Sequence, residues 1–426
     1  MRKIAMTMLL AVVVGVLSEV RPATALTFTC STVARRGQLD AAGAVFKNKF
    51  DSPAVNGAGD VAFVGYATSA PRRLYFYPSV GAASVVAQQG GAAPGGSSFK
   101  AFRAVSINDA GDVAFHAKLA LGEGVFAGPA GGVAKAAATG DASPAGGAFD
   151  AFPAVSRVNT AGDVAFTASV GGGPNGVFLY DASATLVLTV ALVNDGALDG
   201  RQLCAYLDVG LGATGAVAVR ASTKVNCANV GEPELVGIYE KTGLSFARVA
   251  LEGDVSPTPA TTYAQFIAAP DVNATDKVLF RARTVGVAGL TGLFLHDPAG
   301  PSTVILAGTG SAAPVTGGSL KTIAPAGVTD GDRAGLGARI SSGLAKTGIF
   351  VYDAVPANEK VVASNDLAPN DTFGPNSTYL KINPGNRKNN EGIGIDRSGT
   401  WVAYTAKVKS TTGTPTASAV LRCQGM

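Results

Sequence analysis

The chain has 426 residues, of which 47% are hydrophobic, 15% charged and 7% aromatic, and it carries a formal net charge of +4 at pH 7. Charged residues fall well below the usual quarter, which excludes a disordered acidic or basic tail protein. The 55 glycines and 22 prolines exclude long helices, since Gly costs roughly 1 and Pro roughly 3 kcal/mol in a helix interior. A β-rich chain with many turns remains.

Residues 1–25 read as a secretory signal peptide. Arg2 and Lys3 form the basic region, Ile4 to Leu17 the apolar one, and Ala23-Thr24-Ala25 an A-x-A cleavage site. Removing Arg2, Lys3, Arg21 and Glu19 lowers the net charge from +4 to +2. A body so close to neutral has no gross bias toward nucleic acid. No later stretch is long and apolar enough to span a bilayer. Thr27-Phe28-Thr29 also lacks the small residues expected before a lipidated Cys30. The expectation is a secreted or periplasmic monomer, with one domain over 26–426.

That domain is repetitive. VNGAGDVAF at 55–63 recurs as INDAGDVAF at 107–115 and VNTAGDVAF at 158–166. Looser copies lie at 210–219, 272–280, 328–336 and 395–404, with Phe63, Phe115, Phe166, Val219, Phe280, Leu336 and Tyr404 as markers. The period is roughly fifty residues and lengthens toward the C-terminus, as insertions in one set of loops would produce. Each unit reads as four strands. A first strand leads into Asn-x-x-Gly, where Asn bonds its own backbone and Gly supplies positive φ. Asp-Val-Ala-Phe makes the second strand. Segments such as GVFAG (124–128), GVFLY (176–180), GLFLH (292–296) and GIFVY (348–352) make the third. The fourth ends in a Gly or Asn-Asp turn, as in SVVAQQG (84–90), VAKAAATG (133–140), FARVALEG (246–253) and KVVASND (360–366).

The termini decide the topology. FTCSTVARRG (28–37) resembles a fourth strand with no first three, and AVLRC (419–423) a third strand with no fourth. Letting one complete the other gives seven units and an all-β, seven-bladed β-propeller of four-stranded antiparallel blades, closed by the N-terminal strand. An open solenoid would need capping repeats instead. The four cysteines allow three pairings. Ring closure places Cys30 beside Cys423 across the seam, and Cys204 and Cys227 at neighbouring ends of the hairpin in blade four. A metal pair is disfavoured there because no histidine is near.

Asp396 to Ala406, Asp-x-x-Gly-x-x-Val-Ala-Tyr-Thr-Ala, resembles the repeat of TolB-like propellers. The copies Asn56–Phe63, Asn108–Phe115 and Asn159–Phe166 resemble an uncharacterised group of secreted bacterial proteins with N-x-x-G-D-V-A-F repeats. The likeness covers the whole mature chain at one motif per blade. It departs from the TolB-like pattern in lacking Pro before the Asp or Asn and in its longer period. It implies a fold and no chemistry. Asp396 to Trp401 also resembles a sialidase Asp-box, but it is one residue longer and absent from the other blades.

Chemistry is sparse. His116 and His296 fall on different strands of different blades and read as ordinary strand residues. No H-E-x-x-H, G-x-S-x-G, Walker or EF-hand loop occurs. Asp330-Gly331-Asp332 reads as a hairpin turn rather than a calcium loop. The repeated Asn56, Asn108, Asn159, Asp60, Asp112 and Asp163 read as turn chemistry. Phe99, Phe102, Phe149, Phe152, Tyr263 and Phe266 read as packing between blades.

The fourth-to-first and second-to-third connections share one face and vary in content, which is where binding usually resides. Just past the markers on that face stand Tyr66, Lys118, Arg220, Arg281, Arg283, Arg339 and Lys407, a partial basic ring suited to an anionic glycan or protein. Asp141, Asp150, Asp195, Asp254 and Asp366 in the adjoining loops make the alternative a mixed, solvated face. The expected function is ligand binding, with no cofactor, no metal and no membrane insertion. An extracellular polysaccharide hydrolase or lyase at the channel mouth and a structural envelope role are the alternatives.

Overall fold

A computed structural model of the chain describes residues 27–300, 302–314, 316–353, 358–369, 373, 377–383, 393–409 and 417–425. The signal peptide expected over 1–25 lies outside the described residues. The fold is all-β, a ring of seven antiparallel sheets. Each innermost strand lines the axis, and each second strand carries the marker residue. Blade one is Phe46–Val55, Val61–Ala67, Arg73–Tyr77 and Ser84–Gln88. Blades two and three begin at Ser97–Ile107 and Ala148–Val155, blade four at Gln202–Leu211 and blade six at Gly318–Val328. The innermost strand is interrupted in blade five (Thr261–Phe266, Asp271–Val272), and the described parts of that of blade seven are Thr378–Ile382 and Ile393–Ile395.

Blade seven continues with Trp401–Lys409 and Ala417–Gly425, and its outer strand is Phe28–Arg35. Phe28 pairs with Gly425 and Cys30 with Cys423 in antiparallel register. Cys30–Cys423 is a disulfide spanning 393 residues of chain, and Cys204–Cys227 one spanning 23.

All seven hairpins between first and second strands share one geometry. The fourth motif position has positive φ in each: Gly59, Gly111, Gly162, Gly215, Asp276, Asp332 and Gly399. Asn56 shows why the motif starts with Asn. Its Oδ1 accepts from the Ala58 and Asp60 amides, at 3.1 and 2.8 Å. Its Nδ2 donates to Asp60 Oδ2 at 3.1 Å and to the Asn108 carbonyl of the next blade at 3.0 Å. Asn108 repeats the move onto the Asn159 carbonyl, and Asn273 onto the Thr329 carbonyl. The motif thus shapes its own turn and ties neighbouring blades. Asp330-Gly331-Asp332 is such a turn, with Asp330 Oδ1 accepting from the Ala274 amide of blade five.

The core is divided among the blade interfaces. Seven apolar clusters each take residues from two adjacent blades, the last joining Phe46, Phe63 and Tyr75 to Ala403 and Val420 across the seam. Phe99, Phe102, Phe115 and Phe126 form an aromatic quartet, with rings 5.1–5.9 Å apart. Phe149, Phe152, Phe166 and Phe178 repeat it one blade on. Burying these aromatics together with the aliphatic side chains of each cluster removes apolar surface from water and holds neighbouring blades together.

Candidate functional site

The axial channel holds a cavity of about 360 Å³ lined from every blade, by Ser52, Arg103, Phe152, Asp208, Pro270, Ala326 and Ile393 among others. Its hairpin end is obstructed by charge. Seven equivalent positions ring the axis there: Ala54, Ser106, Arg157, Gly210, Asp271, Gly327 and Gly394. Five are small. The other two pair across the channel, with Arg157 Nη1 3.1 Å from Asp271 Oδ2 and Arg157 Nη2 donating to the Ile395 carbonyl at 2.6 Å. Asp271 Oδ2 also accepts from the Val328 amide at 2.9 Å. Smallness at Gly327 is required, because a Cβ there would lie 2.4 Å from Arg157 Nη1. Arg397, from the blade-seven hairpin, donates to the Val272 and Leu211 carbonyls of blades five and four. Two guanidinium groups therefore cross the axis and leave the loop face as the open side.

At that face the cavity carries Arg103, His116, Lys118 and Glu123 from blade two. Arg103 and His116 are cross-strand partners. His116 is buried, with Nε2 3.4 Å from Glu123 Oε2 but outside hydrogen-bond geometry. Burial lowers the His116 pKa against the opposing pull of Glu123, which favours the neutral imidazole. Glu123 Oε1 accepts from the Phe152 amide of blade three at 2.8 Å. Asp208 is held by Arg220 at 2.5 Å, and burial raises its pKa against that partner. Each carboxylate lining the cavity, Glu123, Asp208 or Asp271, is therefore committed to a partner. Lys118 and Arg103 are exposed cations with no ion-pair partner among the described residues.

The sequence-derived basic residues divide between sites. Lys118 lines the channel cavity and Arg220 braces its wall through Asp208. Lys407 lines a second cavity of about 280 Å³ at the seam of blades one and seven, with Lys49 and Lys381. Arg281 is buried, whereas Arg283 and Arg339 are exposed, and all three lie outside both cavities. Tyr66 sits beside the seam, its hydroxyl 3.0 Å from Lys49 Nζ.

Four of the loop aspartates brace turns. Asp141, Asp195, Asp254 and Asp366 each accept from a backbone amide three residues back, at 2.7–2.8 Å. His296 is an interior strand residue, with Nδ1 3.0 Å from Thr303 Oγ1. His116 departs from the ordinary-strand expectation by facing the channel cavity. Its signal was the residue after the marker Phe, His where blade one has Val64 and blade three Thr167. Sequence reasoning also missed Arg157 and Asp271, which stand out only when the residue two before each motif Asn is compared across blades.

A closed seven-bladed propeller with a polar, one-ended axial cavity defines a class that hosts both binding modules and enzymes. A family model matches residues 24–193 and 211–418, and the chain belongs to that family, a family of unknown function (DUF7453). No curated protein matches it. Among solved structures it is similar to TolB from Acinetobacter baumannii, at 14% identity over 73% of this chain and 65% of that one, with a TM-score of 0.36. A protein of unknown function from Dyadobacter fermentans gives 9% identity over 93% and 99%, with a TM-score of 0.36. The β-propeller domain of the Trilobed protease from Pyrococcus furiosus gives 9% over 86% and 97%, with a TM-score of 0.46. The chain spans 65% of the TolB chain. Likenesses at this level say nothing of activity.

Proposed function

We propose that this chain is a binding protein that seats an anionic group of a glycan or protein ligand at the loop-face end of its channel. The observation that carries this reading is a charge imbalance. Glu123, Asp208 and Asp271 are each bonded within the fold, to the Phe152 amide, Arg220 and Arg157, while Lys118 and Arg103 line the same cavity with no ion-pair partner among the described residues. A hydrolase would need a carboxylate pair free to exchange protons with substrate, and commitment of all three supports binding instead. The two disulfides fit an oxidising compartment, and with the N-terminal signal they support a secreted or periplasmic location for a monomer that needs no cofactor.

Calorimetry with polygalacturonate and with neutral dextran tests the reading. Saturable binding of the acidic polymer alone, weakened about tenfold or more by Lys118→Ala with Arg103→Ala, is the expected result. Equal binding of dextran, or release of shortened products, overturns it.

A further inference from the structure

The cations at the channel mouth are one end of a longer track. Arg103 follows Phe102, whose carbonyl accepts from Arg72 Nη2 of blade one at 3.1 Å. Arg72 lies over the Tyr66 ring, 5.1 Å from its centroid, and Lys49 lies over the same ring at 4.6 Å. Lys49 in turn lines the seam cavity with Lys381 and Lys407. Contacts therefore run from blade two across blade one to blade seven along the loop face. Five exposed cations mark the route, Lys118, Arg103, Lys49, Lys407 and Lys381, with the half-buried Arg72 joining Arg103 to Lys49. Asp51, 3.5 Å from both Lys49 and Arg72, is set among them, as Glu123 is at the channel mouth.

The far end holds an arrangement that the fold does not need. Lys381 and Lys407 are cross-strand partners on Thr378–Ile382 and Trp401–Lys409, and both are exposed. Like charges directly opposite on a sheet destabilise it. An anion between them reverses the sign of that interaction. Asn48, Asn383, Thr405 and Ser418 add hydrogen-bonding groups to the same cavity.

One innermost strand, Phe46–Val55, connects the two sites. Asn48 to Phe50 line the seam cavity, and Ser52 to Val55 the channel cavity. At about 3.3 Å per residue the centres of the two linings lie up to roughly 15 Å apart along the strand. A single small anion cannot occupy both.

Resting on the binding reading above, we infer that the ligand is a linear acidic polysaccharide that runs along the loop face, with one anionic group at the channel mouth and another at the Lys381–Lys407 pair. Isolated cations along an otherwise near-neutral body suit a polymer with charges spaced along sugars. Duplex DNA places one charge per roughly 1.7 Å of axis and calls for a denser patch.

The test is calorimetry on the full chain with mono- and hexagalacturonate, on wild type, Lys118→Ala and the double variant Lys381→Ser/Lys407→Ser. Joining two sites through one ligand should make the hexamer bind about a hundredfold tighter than the monomer. The double variant should lose that advantage and bind the monomer at the channel mouth alone, one site fewer than wild type. Its melting temperature should hold or rise, because a like-charge pair is removed. Equal affinity for both lengths, or a double variant that binds hexamer as wild type does, overturns the extended track. If Lys118→Ala still weakens the monomer in that case, the channel-mouth reading survives. Absence of any galacturonate binding overturns both. Displacement of the hexamer by an equally charged single-stranded DNA at lower concentration overturns the polysaccharide assignment.

Discussion

Arg157 and Asp271, 114 residues apart, meet at 3.1 Å across the axis of the ring, one from blade three and one from blade five. Neither is part of a hairpin motif. Arg157 reaches on to the Ile395 carbonyl, so a single side chain connects three non-adjacent blades. Adjacent blades are held by their apolar interfaces; this bridge constrains the ring across its diameter.

Removing the guanidinium strands a largely buried carboxylate. Arg157→Leu should destabilise the protein by about 3 kcal/mol, read as a loss in urea midpoint. Adding Asp271→Asn, which keeps an oxygen for the Val328 amide, should recover part of the loss. A double variant that falls by the sum of both singles would show that the two side chains act independently.

The inter-blade role of the motif asparagine separates two substitutions. Asn108→Ala removes the acceptor for the Asp112 amide and the donor to the Asn159 carbonyl, at a cost of about 2 kcal/mol. Asn108→Asp keeps the acceptor, loses the donor and sets a carboxylate against Asp112. It should be no more stable than Asn108→Ala. Thermal unfolding of the pair decides; a near-wild-type Asp variant would mean that the turn bond alone matters.

The two disulfides should differ in worth. Chain entropy gives roughly 6 kcal/mol for the loop closed by Cys30–Cys423 and roughly 3 for that closed by Cys204–Cys227. Cys30→Ser/Cys423→Ser should therefore lower stability more than Cys204→Ser/Cys227→Ser. Denaturant titrations of the two variants check the order, which residual structure in the unfolded chain would narrow.

Glu240, on Leu235–Thr242 of blade four, is buried, and burial with help from Asp276 raises its carboxyl to about 7. Its folded pKa lies above the unfolded value, so the native state holds the proton more tightly. Stability from this group is full below pH 4.5 and falls as pH rises toward about 7, by on the order of 3 kcal/mol. Glu240→Gln should flatten that part of the stability–pH curve and be more stable than wild type at pH 8. An unchanged slope would assign the effect elsewhere.

The repeating part of the fold is legible because each blade solves the same local problem. Asn56 with Gly59, or Asn108 with Gly111, encodes a turn within five residues, and the unmatched strands around Cys30 and Cys423 encode the closure. The candidate site is less legible because it is made where the copies differ. Arg157 reads as a loop arginine until Asp271 is folded to its side. His116 looks like a strand residue until Glu123, from the start of the following strand, is brought beside it. Lys407 was visible, but its partner Lys381 lies on a strand with no motif, and only the register of blade seven sets the two face to face. Of the basic residues expected from the sequence, buried Arg281 and Asp208-bound Arg220 are held within the fold, and exposed Arg283 and Arg339 lie outside both cavities.

The pairing of Phe28 with Gly425 has a consequence for synthesis. When the chain emerges from its N-terminus first, the segment around Cys30 must wait for nearly the whole remaining sequence before its partner strand exists. It spends that interval as an unpaired, threonine-rich edge with a free thiol, the state most open to wrong partners. Six blades can form as they appear; the ring locks only with the last strand. A circularly permuted gene that begins between blades one and two would deliver blade seven as one contiguous piece and remove the wait.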